Sequence, residues 1–102
     1  MGILHYGSRD FALDDRVLAH LQALISVKLR RRENFFVSWE VDPSDGSGRQ
    51  ALWIDNGVPI VCEFSGSKLP TINRGWLDQM AESSASALGL HISRTGEIGP
   101  VV

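Results

Sequence analysis

Residues 14–41 read DDRVLAHLQALISVKLRRRENFFVSWEV, and the period of their apolar positions changes once. As far as residue 29, Val17, Leu18, Leu21, Leu24, Ile25 and Leu29 recur at steps of three and four, the spacing that lines one side of an α-helix. From Phe35 the step becomes two. Phe35, Val37, Trp39 and Val41 share one face of a strand, and Phe36, Ser38 and Glu40 share the other. Asp14 or Asp15 supplies an N-cap, because a carboxylate accepts from the free N–H groups of a first helical turn. The helix is expected to end near Arg32, before Asn34. An amphipathic helix followed at once by an alternating strand points to a domain in which helices cover a sheet.

On the N-terminal side, Ile3–Tyr6 and Phe11–Leu13 read as short strands around a Gly7-Ser8-Arg9-Asp10 turn. On the C-terminal side, Asp42–Gly48 has the composition of a connector, and strands are expected at Gln50–Asp55 and Val58–Ser65. Asn56-Gly57 between them favours a type I′ hairpin, whose two central residues need positive φ. That hairpin sets Trp53 opposite Ile60, Leu52 opposite Val61 and Ala51 opposite Cys62. Pro59, without an N–H, marks a sheet edge. Thr71 or Asn73 caps a second helix with Trp76, Leu77, Met80, Ala81, Ser84 and Leu88 inward and Gly89 as a left-handed stop. Leu90–Ser93 reads as a last strand. The order ββ-α-βββ-α-β gives an α+β domain over residues 1–94, a mostly antiparallel sheet with two helices packed on one face, and a flexible tail over 95–102. Phe36, Leu52, Ile54 and Val61 are expected on the uncovered face, as a patch for a protein partner or a second copy.

The chain has 102 residues, 43% hydrophobic and 22% charged, the proportions of a folded globular domain rather than a disordered one. No run of about 18 apolar residues occurs, so no membrane association is expected. The start, MGILHYGSRD, lacks the basic and apolar segments of a secretion signal, which implies a cytoplasmic protein. Cys62 is the one cysteine and has no internal disulfide partner. A net charge of −2 argues against general polyanion binding, yet Lys28, Arg30, Arg31 and Arg32 fall within five positions. Cations at a helix C-terminus complement its dipole; the same cluster can meet phosphate. Lys28 lies in the apolar stripe, where its methylenes cover the core edge and its ammonium reaches water. His20 lies beside the stripe, as a boundary residue.

Catalytic chemistry is hard to assemble from these residues. His5, His20, His91 and Cys62 lack the paired spacing of a zinc site, and Asp42 and Asp45 do not follow the calcium-loop order. Ser65-Gly66-Ser67-Lys68 matches S-x-x-K, but Leu69-Pro70 follows where the serine enzymes open a helix. It also lacks the glycine spacing of a phosphate-binding loop. No catalytic residue, metal or cofactor is expected. Trp39, Trp53 and Trp76 are expected in the core. Arg49, Lys68 and Arg74, near them in sequence, offer a second reading in which aromatics stack bases and cations hold phosphates.

Asp14-Asp15-Arg16-Val17-Leu18-Ala19-His20-Leu21, Lys28-Leu29-Arg30-Arg31, Ser38-Trp39, Gly48-Arg49, Trp53, Pro59, Gly66 and Asn73-Arg74-Gly75-Trp76 together resemble a family of small actinobacterial proteins of about this length. The likeness runs from Leu4 to Leu90. Members of that family have no established function but often carry the label ATP-dependent DNA ligase, and the resemblance implies an accessory domain that touches DNA or a ligase. Ligase chemistry itself needs a lysine within K-x-D-G, and neither Lys28 nor Lys68 is followed by that pattern. This chain has Arg32 where the family pattern has Gly, and Gly75 where it has Ala. The resemblance implies DNA as partner and Lys28, Arg30, Arg31, Arg32, Arg49 and Arg74 as phosphate contacts. Self-association or a protein partner on the open sheet face is the alternative.

Overall fold

A computed structural model describes residues 1–40 and 48–92. It has the expected order of elements, β1 (Gly2–Tyr6), β2 (Arg9–Leu13), α1 (Asp15–Arg30), β3 (Phe35–Glu40), β4 (Arg49–Ile54), β5 (Ile60–Glu63), α2 (Arg74–Ser84) and β6 (Leu90–Ile92). The fold is α+β and mostly antiparallel. The strands divide between two three-stranded sheets, ordered β2-β1-β5 and β4-β3-β6. Val41, most of the Asp42–Gly48 connector, Ser93 and the Arg94–Val102 tail lie outside the described residues. No described helix is long and apolar enough to cross a membrane.

Local chemistry places the helices. Asp14 Oδ1 accepts from the Arg16 N–H at 2.9 Å, and the stripe of α1 sinks Val17, Leu18, Leu21, Leu24 and Ile25 into the core. Asn73 rather than Thr71 caps α2, accepting from the Trp76 N–H at 2.9 Å. α2 is shorter than its apolar pattern implied: it ends at Ser84, Ala81 is exposed and Leu88 is 66% exposed. Gly89 has the expected left-handed backbone, φ +79°, but does not stop α2, which ends before it; a Cβ there would lie 2.2 Å from the Phe36 carbonyl oxygen. That close approach lets β6 lie parallel to β3, with Val37 beside Leu90 and Trp39 beside Ile92.

The expected hairpin between β4 and β5 does not form. β4 pairs antiparallel with β3, Phe35 opposite Ile54 and Val37 opposite Leu52, while β5 pairs with β1, Leu4 opposite Cys62. Neither Asn56 nor Gly57 adopts the positive φ that a type I′ turn requires. The tight hairpin is instead β1–β2, with Tyr6 opposite Arg9 and Gly7 at φ +60° between them. A glycine at the first of two loop positions is the type II′ requirement. Long-range burial decides against the local turn signal: β4 completes one face of apolar residues with β3, and β5 another with β1.

Two contacts tie the sheets together. Phe11 and Trp39 meet edge to face with ring centroids 4.9 Å apart. Tyr6 donates its hydroxyl to the Trp53 carbonyl at 2.6 Å and accepts from the Asp55 N–H at 2.9 Å. His20 is no boundary residue; it is fully buried. Its Nε2 accepts from the Asn73 N–H at 2.9 Å, so the ring proton sits on Nδ1 and is donated to the Arg16 carbonyl at 2.6 Å. His20 thereby locks the start of α2 onto α1, and Trp76 packs edge to face on its ring at 4.7 Å.

Candidate nucleic-acid interface

The basic cluster is shaped by how α1 ends. The Arg32 N–H donates to the Leu29 carbonyl and the Glu33 N–H to the Lys28 carbonyl, the paired bonds of a Schellman stop. The position between helix and exit strand needs left-handed backbone, and Arg32 takes it at φ +57°, where glycine is the usual occupant. Lys28 is buried, as its place in the stripe demands, and its Nζ lies 3.5 Å from Glu33 Oε2. Its charge is therefore answered within the chain. Arg31 Nη1 lies 3.9 Å from the same carboxylate through exposed side chains. Arg30 and Arg32 line an open depression of about 510 Å³ with Leu29, Asn34, Asp55 and Asn56.

Asn34 also belongs to a second depression of about 440 Å³, bounded by Lys28, Glu33, Phe36, Trp53 and the turn at 84–87. Trp53 here departs from expectation. β4 faces the core through Ile54 and Leu52, because those are opposite Phe35 and Val37, so Trp53 turns outward beside Phe36. The expected open-face set is corrected accordingly: Ile54 is fully buried and Leu52 half-buried, while Phe36 is 39% and Trp53 45% exposed. Their rings pair at 4.9 Å and 60°. Val61 is exposed as expected, but on the other sheet. Trp39 and Trp76 pack against the core.

Further along the same outer face, Arg49 Nη2 donates to Ser38 Oγ at 3.1 Å and to His91 Nδ1 at 3.2 Å, and Ser38 Oγ lies 3.1 Å from that same nitrogen. A guanidinium only donates, so Nδ1 is unprotonated and the imidazole proton sits on Nε2, which lies 3.9 Å from Glu40 Oε1. Ser38, His91 and Glu40 have the residue types of a hydrolytic triad. Ser38 is 3% exposed, however, and the Arg49 guanidinium bonds its hydroxyl. Among the described residues, the arrangement fixes the Arg49 guanidinium on the Ser38 hydroxyl. Ser65 of the S-x-x-K match gives its hydroxyl to Asp15 at 2.8 Å, and Lys68 is exposed.

The six expected phosphate contacts do not form one surface. Arg30, Arg31 and Arg32 stay together, Lys28 is tied to Glu33, and Arg49 lies on the outer face of the β4-β3-β6 sheet. Arg74 opens α2 beside Asn73, which is bonded to His20. Ten residues of α-helix separate His20 from Arg30, about 15 Å along the axis, so Arg74 belongs elsewhere. Trp53 was expected in the core, and His91 was weighed only as a zinc ligand. Alternation marks Trp53, Ala51 and Arg49 as sharing a face of β4, but only pairing through β3 brings His91 to the same face.

A family described as "Domain of unknown function (DUF7882)" matches residues 1–95. Neither a curated protein nor a solved structure matches.

Proposed function

This chain belongs to the DUF7882 family of unknown function, and from that premise we propose that it is a non-catalytic module that binds nucleic acid. The observation that carries this reading is the meeting of two depressions at Asn34, which sets Arg30 and Arg32 beside the exposed Phe36–Trp53 pair. Cations flanking solvent-facing aromatic rings supply both halves of nucleic-acid recognition: charge for phosphates and a π-face for bases. Helix-dipole stabilisation accounts for cations at the end of α1, but not for two large aromatic rings left in water beside them.

Fluorescence anisotropy with labelled single-stranded, duplex and nicked DNA across a salt series tests the reading. Contact through three to four cations, Arg30, Arg31 and Arg32 with Arg49, gives a log–log slope of affinity on salt of roughly −2 to −4. Reversal of Arg30 and Arg31 to Glu abolishes that binding and leaves the fold intact. Absence of binding at low salt overturns the proposal, and the open Phe36–Trp53 face is then a docking surface for a protein or a second copy.

A further inference from the structure

We infer that the outer face of the β4-β3-β6 sheet binds a single strand of nucleic acid, its bases on Phe36 and Trp53 and one phosphate on Arg49; this rests on the nucleic-acid reading above and names its substrate. Duplex bases are stacked on each other and shielded, whereas the unpaired bases of a single strand are free to lie on aromatic side chains. Phe36 and Trp53 are directly opposed across β3 and β4, so their rings form one contiguous patch on a rigid sheet rather than two loop residues.

Arg49 supplies the neighbouring phosphate site. Ser38 is the next outward residue after Phe36 along β3, about 6.6 Å away at a strand rise of 3.3 Å per residue. The Arg49 guanidinium is anchored over it by Ser38 and His91. These bonds use one guanidinium nitrogen, Nη2, and they hold the cation on the same face as the rings at about one nucleotide's reach. Buried Ser38 acts here as a positioning residue. At the other end of the aromatic pair lie Arg30 and Arg32. The stacking patch is thus bracketed by cations along the direction of β3. Glu40, opposite Arg49 in the register and 3.9 Å from His91 Nε2, repels an anion and marks where the strand must leave the sheet.

The test compares the full chain's affinity for labelled oligothymidylate, for an abasic oligomer with the same number of phosphates, and for a duplex of equal charge. Stacking makes oligothymidylate bind tighter than the abasic strand by roughly 5- to 100-fold. Trp53→Ala lowers that ratio by the share its ring supplies, Trp53→Phe restores part of it, and loss of both rings in Phe36→Ala with Trp53→Ala brings it toward one. Both rings are more than half buried, so circular dichroism and urea unfolding of each variant check that the fold is kept. Arg49→Ala weakens both single strands and lowers the salt slope by about 0.7; Glu40→Gln tightens both. Equal affinity for abasic and thymidylate strands, a ratio insensitive to Trp53→Ala, or preference for the duplex overturns the sheet-face inference while leaving nucleic-acid binding standing. Absence of binding to every probe at low salt overturns both.

Discussion

Arg30 and Arg32 carry the same charge two residues apart, yet glycine and alanine should rank oppositely at the two positions. Arg32 sits at φ +57° in the Schellman stop of α1. Left-handed backbone costs an L-residue about 1–2 kcal/mol, and alanine inherits that cost while glycine escapes it. Glycine loses part of the advantage through its greater freedom in the unfolded chain, about 0.5–1 kcal/mol. Arg32→Gly should therefore be more stable than Arg32→Ala by about 1 kcal/mol. Arg30 is the last residue of α1, where alanine is the better occupant by up to about 1 kcal/mol. The charge lost, and with it the interaction with the helix dipole, is the same in every comparison and cancels. Urea unfolding of the four variants should show a swing of up to about 2 kcal/mol between positions, and about 1 kcal/mol moves the Tm of a domain this size by roughly 4–8 °C. DNA binding should follow charge instead: all four lose one cation and weaken alike. If alanine equals or exceeds glycine at position 32, the Schellman account of this turn is wrong. Binding that follows stability among the four would show that the basic turn is not the contact.

Other contacts give equally definite expectations. Gly89→Ala places a Cβ against the Phe36 backbone and should cost about 2–4 kcal/mol in chemical unfolding, whereas Gly7→Ala, also at positive φ but facing only a Val58 methyl at 3.3 Å, should cost about 1–2 kcal/mol. His20→Leu leaves the Asn73 N–H without its acceptor, a loss of about 1–3 kcal/mol, read as early hydrogen exchange at the start of α2. Tyr6→Phe removes the hydroxyl between Trp53 and Asp55 and should cost a similar amount, with Trp53 emission changed although position 53 is untouched. His5 donates to Glu63 at 2.9 Å and to Asp10 at 2.7 Å, and the Glu63 bond, then the Asp10 bond, raise its pKa above 6.5. Its folded pKa exceeds its unfolded one, so its stabilisation is complete below pH 6.5 and lost as pH rises through the raised value; unfolding of His5→Gln as a function of pH should lack that decline. Asp15 runs the other way: the Ser65 hydroxyl lowers its pKa from 3.8, and its contribution, present above that value, fades as acid protonates the folded carboxylate.

Elements formed by neighbouring residues were legible in the sequence. The stripe from Val17 to Leu29 and the alternation from Phe35 rest on contacts within a few positions, where geometry is nearly fixed by residue type; the caps were narrowed only to Asp14 or Asp15 and to Thr71 or Asn73, and Gly89, expected to stop α2, lies beyond its end at Ser84. Apart from β1 and β2, joined by the turn at Gly7, the partners of the strands were not legible. Asn56-Gly57 is a sound local hairpin signal, but it competes with the burial of whole apolar faces, and that competition is settled between residues far apart in the chain. The same limit applies to the site. Alternation says that Trp53, Ala51 and Arg49 share one face of β4; it cannot say whether that face meets a helix or water. Pairing of β4 with β3 through Ile54 and Leu52 turns Trp53 outward beside Phe36, and β6 delivers His91 to Arg49 from across the fold. The sequence alone determined that Arg30, Arg31 and Arg32 would cluster, because consecutive residues cannot separate. Only the tertiary structure decided that they lie beside an exposed aromatic pair while Lys28 is held by Glu33 and Arg74 is carried away with α2, because side-chain surroundings are fixed by packing between elements.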